Sequence, residues 1–330
     1  MSDPLLKRPF GRREFLAIGT GAFALSALPL VLRRHVAVAR RTIPVMGTIA
    51  EITVIHRSEA RAQEAVEAAI AELRWVDATM TRFRRDSDIG RANAGASRDG
   101  VTVSAETAQV VETALRWSAA SDGRFDPGIG AASELWDVTN RHEPPAADAV
   151  QRLAGRSFWR HVDVERRAGQ GVVRYGERDL HLDLGGIGKG YSLDRAVRVL
   201  RERGIEHAIV NQGGDLYALG ESPEGGAWRV GIKDPDDLRG VARTLEVSDR
   251  AVATSGDYER FFRYRGARFH HLIDPATAAP RQTNVRSVTV LADRCIDAEP
   301  CAVSIFGLPH ERALAFARAQ LSGADVITLT

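Results

Sequence analysis

Nine residues, Asp183-Leu184-Gly185-Gly186-Ile187-Gly188-Lys189-Gly190-Tyr191, carry the densest chemistry in this chain. Four glycines around one lysine, just before a helical pattern, let backbone amides approach a phosphate closely. The segment is not a Walker A loop, because the glycine spacing differs and Gly190 follows the lysine where Ser or Thr would stand. A glycine turn joining strand to helix is the structural alternative. The lysine weighs towards phosphate. Of 45 basic residues only Lys7, Lys189 and Lys233 are lysine, a bias that arginine codon usage explains. A lysine kept inside such a loop suggests that a compact ammonium is required there.

Three more clusters follow. Asn211-Gln212-Gly213-Gly214-Asp215 ends an apolar strand in two glycines, a sign of close backbone approach to a ligand or to another strand. Ser255-Gly256-Asp257-Tyr258-Glu259-Arg260 precedes His270-His271-Leu272-Ile273-Asp274-Pro275, whose histidines could be metal ligands, a base or strand-end residues. Asp297 lies between Cys295 and Cys301, ahead of an apolar helical stretch. It could cap that helix or hold a divalent cation. A disulfide between the two cysteines is conceivable in an oxidising compartment, with two buried free thiols as the alternative.

The elements that must position these groups are legible in outline. Thr48 to Ile55 alternates as a strand, and Glu59 to Thr79 carries apolar residues at helical spacing. The Ser87-Asp88 and Asn93-Ala94-Gly95 stretches read as loop, and a second helix runs from Ala105 to Ser121. Past Pro144-Pro145 come a short helix and strands around Val162, Val172 and Leu180. A helix is expected from about Tyr191 to Arg203, then a buried strand at Ala208-Ile209-Val210. Further strands fall around Val230, Leu245, Ala251, Phe269 and Val288, with helices over Cys301–Gly307 and Pro309–Gln320. Strands and helices without regular alternation predict an α+β fold.

Taken in order, these segments resemble the FAD:protein FMN transferase family, once labelled thiamine-biosynthesis lipoproteins. The likeness covers nearly the whole mature chain: Met46-Gly47-Thr48, Phe83 through Asp86-Ser87, Asp122-Gly123-Arg124-Phe125-Asp126-Pro127 with Leu135-Trp136, the glycine-lysine loop, the Asn211–Asp215 turn, Thr254–Arg260, His270–Pro275, and the Ser287–Val290 strand leading to Asp297. The resemblance implies a tunnelling-fold-like protein of two lobes with FAD in the cleft between them, a magnesium ion, and transfer of FMN to a Thr or Ser hydroxyl. On matching positions, Met46, Phe83, Arg124, Phe125, Asp126, Asp183, Lys189 and Leu272 would contact FAD. The Gly186 carbonyl and Asp297 would hold magnesium, and His271 would deprotonate the acceptor. Lys189 would add a fixed positive charge at the phosphates. The family's metal loop has threonine where this chain has Cys301, a poor magnesium ligand as a neutral thiol, for which Glu299 could compensate. The family's glycine is also missing at Ala278, and Gly128 stands where threonine is common. An FAD pyrophosphatase and a non-catalytic FAD carrier are the rival activities.

The leader sets the expected compartment. Arg12-Arg13 precede an apolar stretch from Ala17 to Leu32, and Ala37-Val38-Ala39 offers a cleavage site. Residues 1–39 therefore read as a twin-arginine signal, residues 40–330 as the transferase domain, and the periplasm as the destination. Arg33 and Arg34 are unusual in that place and keep an uncleaved anchor open. The leader and altered metal loop suggest a branch such as the flavin transferases serving nitrous oxide respiration, acting on an exported or membrane-bound redox protein. At 330 residues, 44% apolar and net charge +2, the chain is an ordinary globular one with no footprint for nucleic acid.

Overall fold

The computed structural model describes residues 36–330, so the twin-arginine segment lies outside the described residues. The chain opens with β1 (Ala37–Val45), β2 (Thr48–His56), α1 (Glu59–Met80), α2 (Asp88–Gly95), β3 (Val101–Ser104), α3 (Ala105–Ala120), α4 (Gly130–Trp136) and α5 (Ala147–Leu153). Next come β4 (Val162–Arg167), β5 (Gln170–Tyr175), α6 (Gly188–Glu202), β6 (His207–Gln212), β7 (Asp215–Leu219), β8 (Trp228–Lys233), β9 (Val241–Val247) and β10 (Arg250–Gly256). The last part holds β11 (Phe261–Tyr264), β12 (Ala267–His270), β13 (Ile273–Asp274), β14 (Ala279–Pro280), β15 (Ser287–Ala292), α7 (Cys295–Ile305), α8 (His310–Gln320) and β16 (Asp325–Leu329).

A seven-stranded sheet in the order β1-β2-β6-β7-β10-β15-β16 forms the frame, every neighbour antiparallel. Its strands alternate between two apolar faces. Ala208 and Val210 point into the main core with Leu73 of α1, Leu193 and Leu200 of α6, and Ile305 of α7. Ile209, Leu216 and Val252 point the other way, onto Trp228, Val230 and Val247 of the β8–β9 hairpin. Both faces are therefore covered, and each fully buried leucine contributes about 2 kcal/mol. The helices follow from their sequences. Along α1 the buried residues Ala62, Ala65, Val66, Ala69, Ile70, Leu73, Val76 and Met80 recur at helical spacing, and the Ser58 side chain accepts from the Arg61 amide as N-cap. A third cluster joins Trp136 to Phe262 and Phe269 of the β11–β12 hairpin, with ring centroids 5.4 Å apart for Trp136–Phe269 and 5.2 Å for Phe262–Phe269.

The α+β expectation holds, with differences in detail. Residues read as loop at Ser87-Asp88 and Asn93–Gly95 form α2, whose first amides Ser87 caps. The buried Asp88 carboxylate accepts from Ser104, Thr107 and Arg91, which fixes that helix despite its glycines. Leu180 is not in a strand. β1 was not foreseen, and it contains the Ala37–Ala39 tripeptide, which pairs with His56, Ile55 and Val54. The boundary drawn after Ala39 thus falls inside a strand. Among the described residues no helix is long and apolar enough to cross a membrane.

Candidate active site

The glycine-lysine segment ends in a helix start pressed against α7. α6 begins at Gly188, earlier than the sequence suggests, so Lys189 stands in its first turn, and the N-cap residue Ile187 makes no side-chain capping bond. A Cβ on Gly190 would lie 2.2 Å from the Cys295 carbonyl oxygen, so only glycine permits this contact. Gly186 is packed between Phe125 and Val303, 3.0 and 3.4 Å from where its Cβ would be. Met46, at φ +51° in the β1–β2 turn, reaches to 3.4 Å of the equivalent point on Gly188. The structure thus brings Met46, Phe125, Gly186, Lys189 and the metal-loop helix together.

Lys189 is not a free charge waiting for phosphate. Its Nζ is bound by Asp215 Oδ2 and by Glu299 Oε1, the latter at 2.6 Å. Glu299 Oε2 also accepts from the Gly190 amide at 2.8 Å, and Asp215 Oδ1 from the Thr254 amide at 3.0 Å. The two carboxylates hold the ammonium protonated well above the usual range for lysine, against the cost of burial. Burial, reinforced by the charge of Asp215, pushes the Glu299 carboxyl up to about 7. Glu299 is therefore engaged with Lys189 and Gly190, which corrects the expectation that it stands in for a missing metal ligand.

Asp297 sits in the first turn of α7, which begins at Cys295 and not at Cys301. Its Oδ1 accepts from Trp117 Nε1 at 3.3 Å and its Oδ2 from Arg294 Nε at 2.7 Å. The Arg294 side chain is 60% exposed and can be displaced, whereas the aspartate is only 14% exposed. Cys301 is wholly buried, and burial with the charge of Asp297 raises its thiol to about 12. A neutral, enclosed thiol is a poor ligand for a hard cation. The disulfide expectation is corrected. Both cysteines are free, and a helical separation of six positions sets them about 9 Å apart, beyond the ~7 Å Cα limit. Among the described residues no three His, Cys, Asp or Glu side chains converge as a metal-holding group. Magnesium needs no such cage, since it commonly takes one or two carboxylates plus substrate phosphates and water. Asp297, a mostly buried carboxylate whose Arg294 partner is exposed, is chemically suited to an ion of that kind.

The two histidines separate cleanly. His270 is buried, receives the Leu272 amide on Nδ1 at 3.2 Å and meets the Arg281 carbonyl through Nε2 at 2.8 Å. That fixes its proton on Nε2 and gives it a structural role. The Nδ1 of half-buried His271 is enclosed with no hydrogen-bond partner, and burial, helped by the charge of Arg260, lowers its pKa to about 3. It is a neutral imidazole with a lone pair available. The charge of Lys189 is also felt there, which links His271 to the α6 start.

Of the remaining residues expected at FAD, Phe83 is 81% exposed, with the Arg82 guanidinium 4.3 Å from its ring centroid. Arg82 in turn pairs with Asp183 at 3.1 Å, so Phe83 and Asp183 stand side by side. Asp183 also accepts from the Gly185 amide at 2.9 Å. Arg124 is turned inward, donating to the carbonyls of Ser304 at 2.7 Å and Phe306 at 2.9 Å, where it closes the C-terminus of α7. Asp126 is buried and accepts from the amides of Gly128, Phe158 and Trp159, its carboxyl raised to about 6 by burial. The side chains of Arg124 and Asp126 are thus committed to the fold. Leu272 is buried, its carbonyl receiving the Arg281 amide at 3.0 Å.

Sequence reasoning missed Asp194 and Arg281. Asp194 of α6 accepts from the amides of Cys295 at 2.8 Å and Ile296 at 3.0 Å, capping α7 across the junction. The signal was Arg294, an N-cap position with no capping side chain of its own. Arg281 donates to the carbonyls of Val303, Phe306 and Arg124, tying the histidine segment to the far end of α7.

The family model described as the ApbE family matches residues 46–328. The FAD:protein FMN transferase of Treponema pallidum is 33% identical over 299 residues, 86% of this chain and 82% of that protein. The FAD:protein FMN transferase of Vibrio cholerae is 31% identical over 84% of this chain and 83% of its own length. Among solved structures, the flavin transferase ApbE from Vibrio cholerae superposes with a TM-score of 0.77 at 29% identity, covering 89% of this chain and 93% of that one. The apo flavinyl transferase ApbE of Pseudomonas stutzeri gives 0.75 at 25% identity, over 91% and 96%.

Proposed function

The chain belongs to the ApbE family, and we infer that it is an FAD:protein FMN transferase. The observation that carries the reading is the glycine-lysine turn packed through Gly190 directly onto the helix that bears Asp297. A glycine-rich backbone that lets a phosphate approach there stands beside a carboxylate able to hold a cation. In the reaction a Thr or Ser oxygen of the acceptor bonds to the FMN phosphorus of FAD. The bond from that phosphorus to the bridging oxygen breaks and AMP leaves. His271, a neutral imidazole directly after β12, takes the hydroxyl proton. Phe83 offers an exposed ring face for a flavin or adenine. Lys189, Asp215 and Glu299 act by fixing the α6 start against α7.

The transferase is also magnesium-dependent in this reading. Asp297 and the Gly186 carbonyl would hold the ion, whose charge would neutralise the pyrophosphate oxygens. The carboxylate of Asp297, held only by the exposed Arg294 and the Trp117 indole, supports it. A pyrophosphate needs a cation to settle there. The acceptor in this reading is an exported or membrane-bound redox protein, as in nitrous oxide respiration, and the working compartment is the periplasm. The support is Arg12-Arg13, the apolar stretch behind them and the altered metal loop.

The test is to incubate the protein with FAD, magnesium and a periplasmic FMN-domain acceptor, following flavin fluorescence on the denatured acceptor and AMP release. Covalent flavin with equal AMP is expected, lost with EDTA and in Asp297→Asn. Free FMN with AMP would show a pyrophosphatase, and intact bound FAD a carrier.

A further inference from the structure

We propose that the β11–β12 hairpin is the docking surface for the acceptor protein and takes an acidic segment lying beside the accepting hydroxyl. The proposal rests on the transferase reading above. The hairpin is a separate two-stranded sheet with Phe261 opposite His270, Phe262 opposite Phe269, Arg263 opposite Arg268 and Tyr264 opposite Ala267. One face, through Phe262 and Phe269, is stacked onto Trp136 and anchors the hairpin. The other face carries Phe261, Arg263, Arg268 and His270.

On that face two arginines stand directly across from one another, an arrangement that disfavours a strand pair. Both guanidinium groups lie over the Phe261 ring, at 5.9 and 4.5 Å from its centroid. Arg268 is neutralised by Asp257 at 2.9 Å. Arg263 is exposed and has no carboxylate partner among the described residues. The same is true of Arg265, held at φ +47° in the turn with its guanidinium 5.1 Å from the Tyr264 ring centroid. Arg260 at the foot of the hairpin donates to the Gly47 carbonyl, beside Met46. Asp257 and Glu259 also lie at that foot, Asp257 bound to Arg268 and Arg286.

The position gives the charge its meaning. β12 runs directly into His271, whose amide bonds to the Arg260 carbonyl at 3.1 Å. A protein presenting its hydroxyl to His271 must lay its neighbouring residues along the hairpin. Exposed arginines on an aromatic base, fixed to the core and unmatched by carboxylates, fit a partner segment that supplies those carboxylates.

The experiment uses FAD-loaded protein and two fluorescent peptides of equal length with a central threonine, one flanked by Asp and Glu, the other by Lys. Anisotropy should show the acidic peptide binding at least ~10-fold more tightly, with the difference shrinking in salt. Reversing both Arg263→Glu and Arg265→Glu should weaken it by a similar factor while FAD binding, read by flavin fluorescence quenching, is unchanged. Equal affinities, no binding of either peptide, or an unaltered double variant overturn the proposal. So does partition onto anionic phospholipid vesicles without peptide binding, which would mark a membrane surface. A protein that binds the acidic peptide but not FAD sinks the transferase reading and leaves the docking surface standing.

Discussion

The α6–α7 junction and the β11–β12 hairpin face the same chemistry with opposite electrostatics. At the junction almost every polar group is matched: Lys189 by two carboxylates, the Gly190 amide by Glu299, the Cys295 and Ile296 amides by Asp194. At the hairpin groups are left open, namely the exposed Arg263 and Arg265. A matched network in a dry interior fixes geometry before any ligand arrives. An unmatched one is completed by what binds. In the proposed function FAD belongs with the prebuilt half and the acceptor with the open half.

Glu299→Ala breaks the comparison most severely if it is wrong. The change leaves Lys189 on Asp215 alone and strips the buried Gly190 amide of its acceptor. A loss of about 3 kcal/mol is expected, lowering the melting temperature by roughly 6–12 °C. Glu299→Gln, which can still accept from Gly190, should lose less. Arg263→Ala at the hairpin should stay within about 0.5 kcal/mol. Urea titrations giving the same cost at both places would remove the distinction between a prebuilt and an open half.

His271 sharpens the contrast through pH. Its folded pKa, lowered from 6.5 to about 3 chiefly by burial, means that the unfolded chain binds its proton first as pH falls. Between pH 6.5 and 3 the unfolded state therefore holds more protons, and stability rises with pH across that window and levels off above it. His271→Asn, which cannot take up the proton, should flatten the slope across the window. Denaturation midpoints that fall equally steeply for both proteins would mean that His271 is solvated, and its orphaned Nδ1 would lose its meaning.

The sequence reveals these two halves unequally. Glycine spacing around Lys189 points to a close backbone approach, and Gly190 against the Cys295 carbonyl is that approach. The partners of Lys189 come from β7 and α7, far apart in the chain, so spacing cannot show that its charge is already met. Asp194 looks like any polar residue of a helix until α7 begins beside it. Strand β1 escapes notice because Ala37-Val38-Ala39 is as suitable for a signal cleavage site as for a buried edge, and only pairing with β2 decides. α2 escapes because Gly90 and Gly95 lower its helix propensity, which the Asp88 network overrides. At the hairpin the sequence shows a strand around Phe269, and which residues share a face emerges only from the pairing of β11 with β12.

The smallest expected effect concerns Cys301, buried in the prebuilt half one helical turn after Asp297. A thiol buried and raised to about 12 adds no negative charge and no hard oxygen to Asp297. Thr at the same site has similar volume and brings a hydroxyl one helical turn after Asp297, where it can either face a cation or fold back onto the Asp297 carbonyl. Cys301→Val supplies the same branched shape with no oxygen and separates packing from ligation. If the cysteine leaves the cation under-held, Cys301→Thr tightens magnesium about 10-fold, on the order of 1.4 kcal/mol, while Cys301→Val leaves it unchanged. Magnesium titrations of both variants, followed by calorimetry with FAD present, give the answer. Equal magnesium affinity in all three proteins would make Cys301 a core residue and leave Asp297, the Gly186 carbonyl and the substrate's own phosphates as the whole of the cation's support.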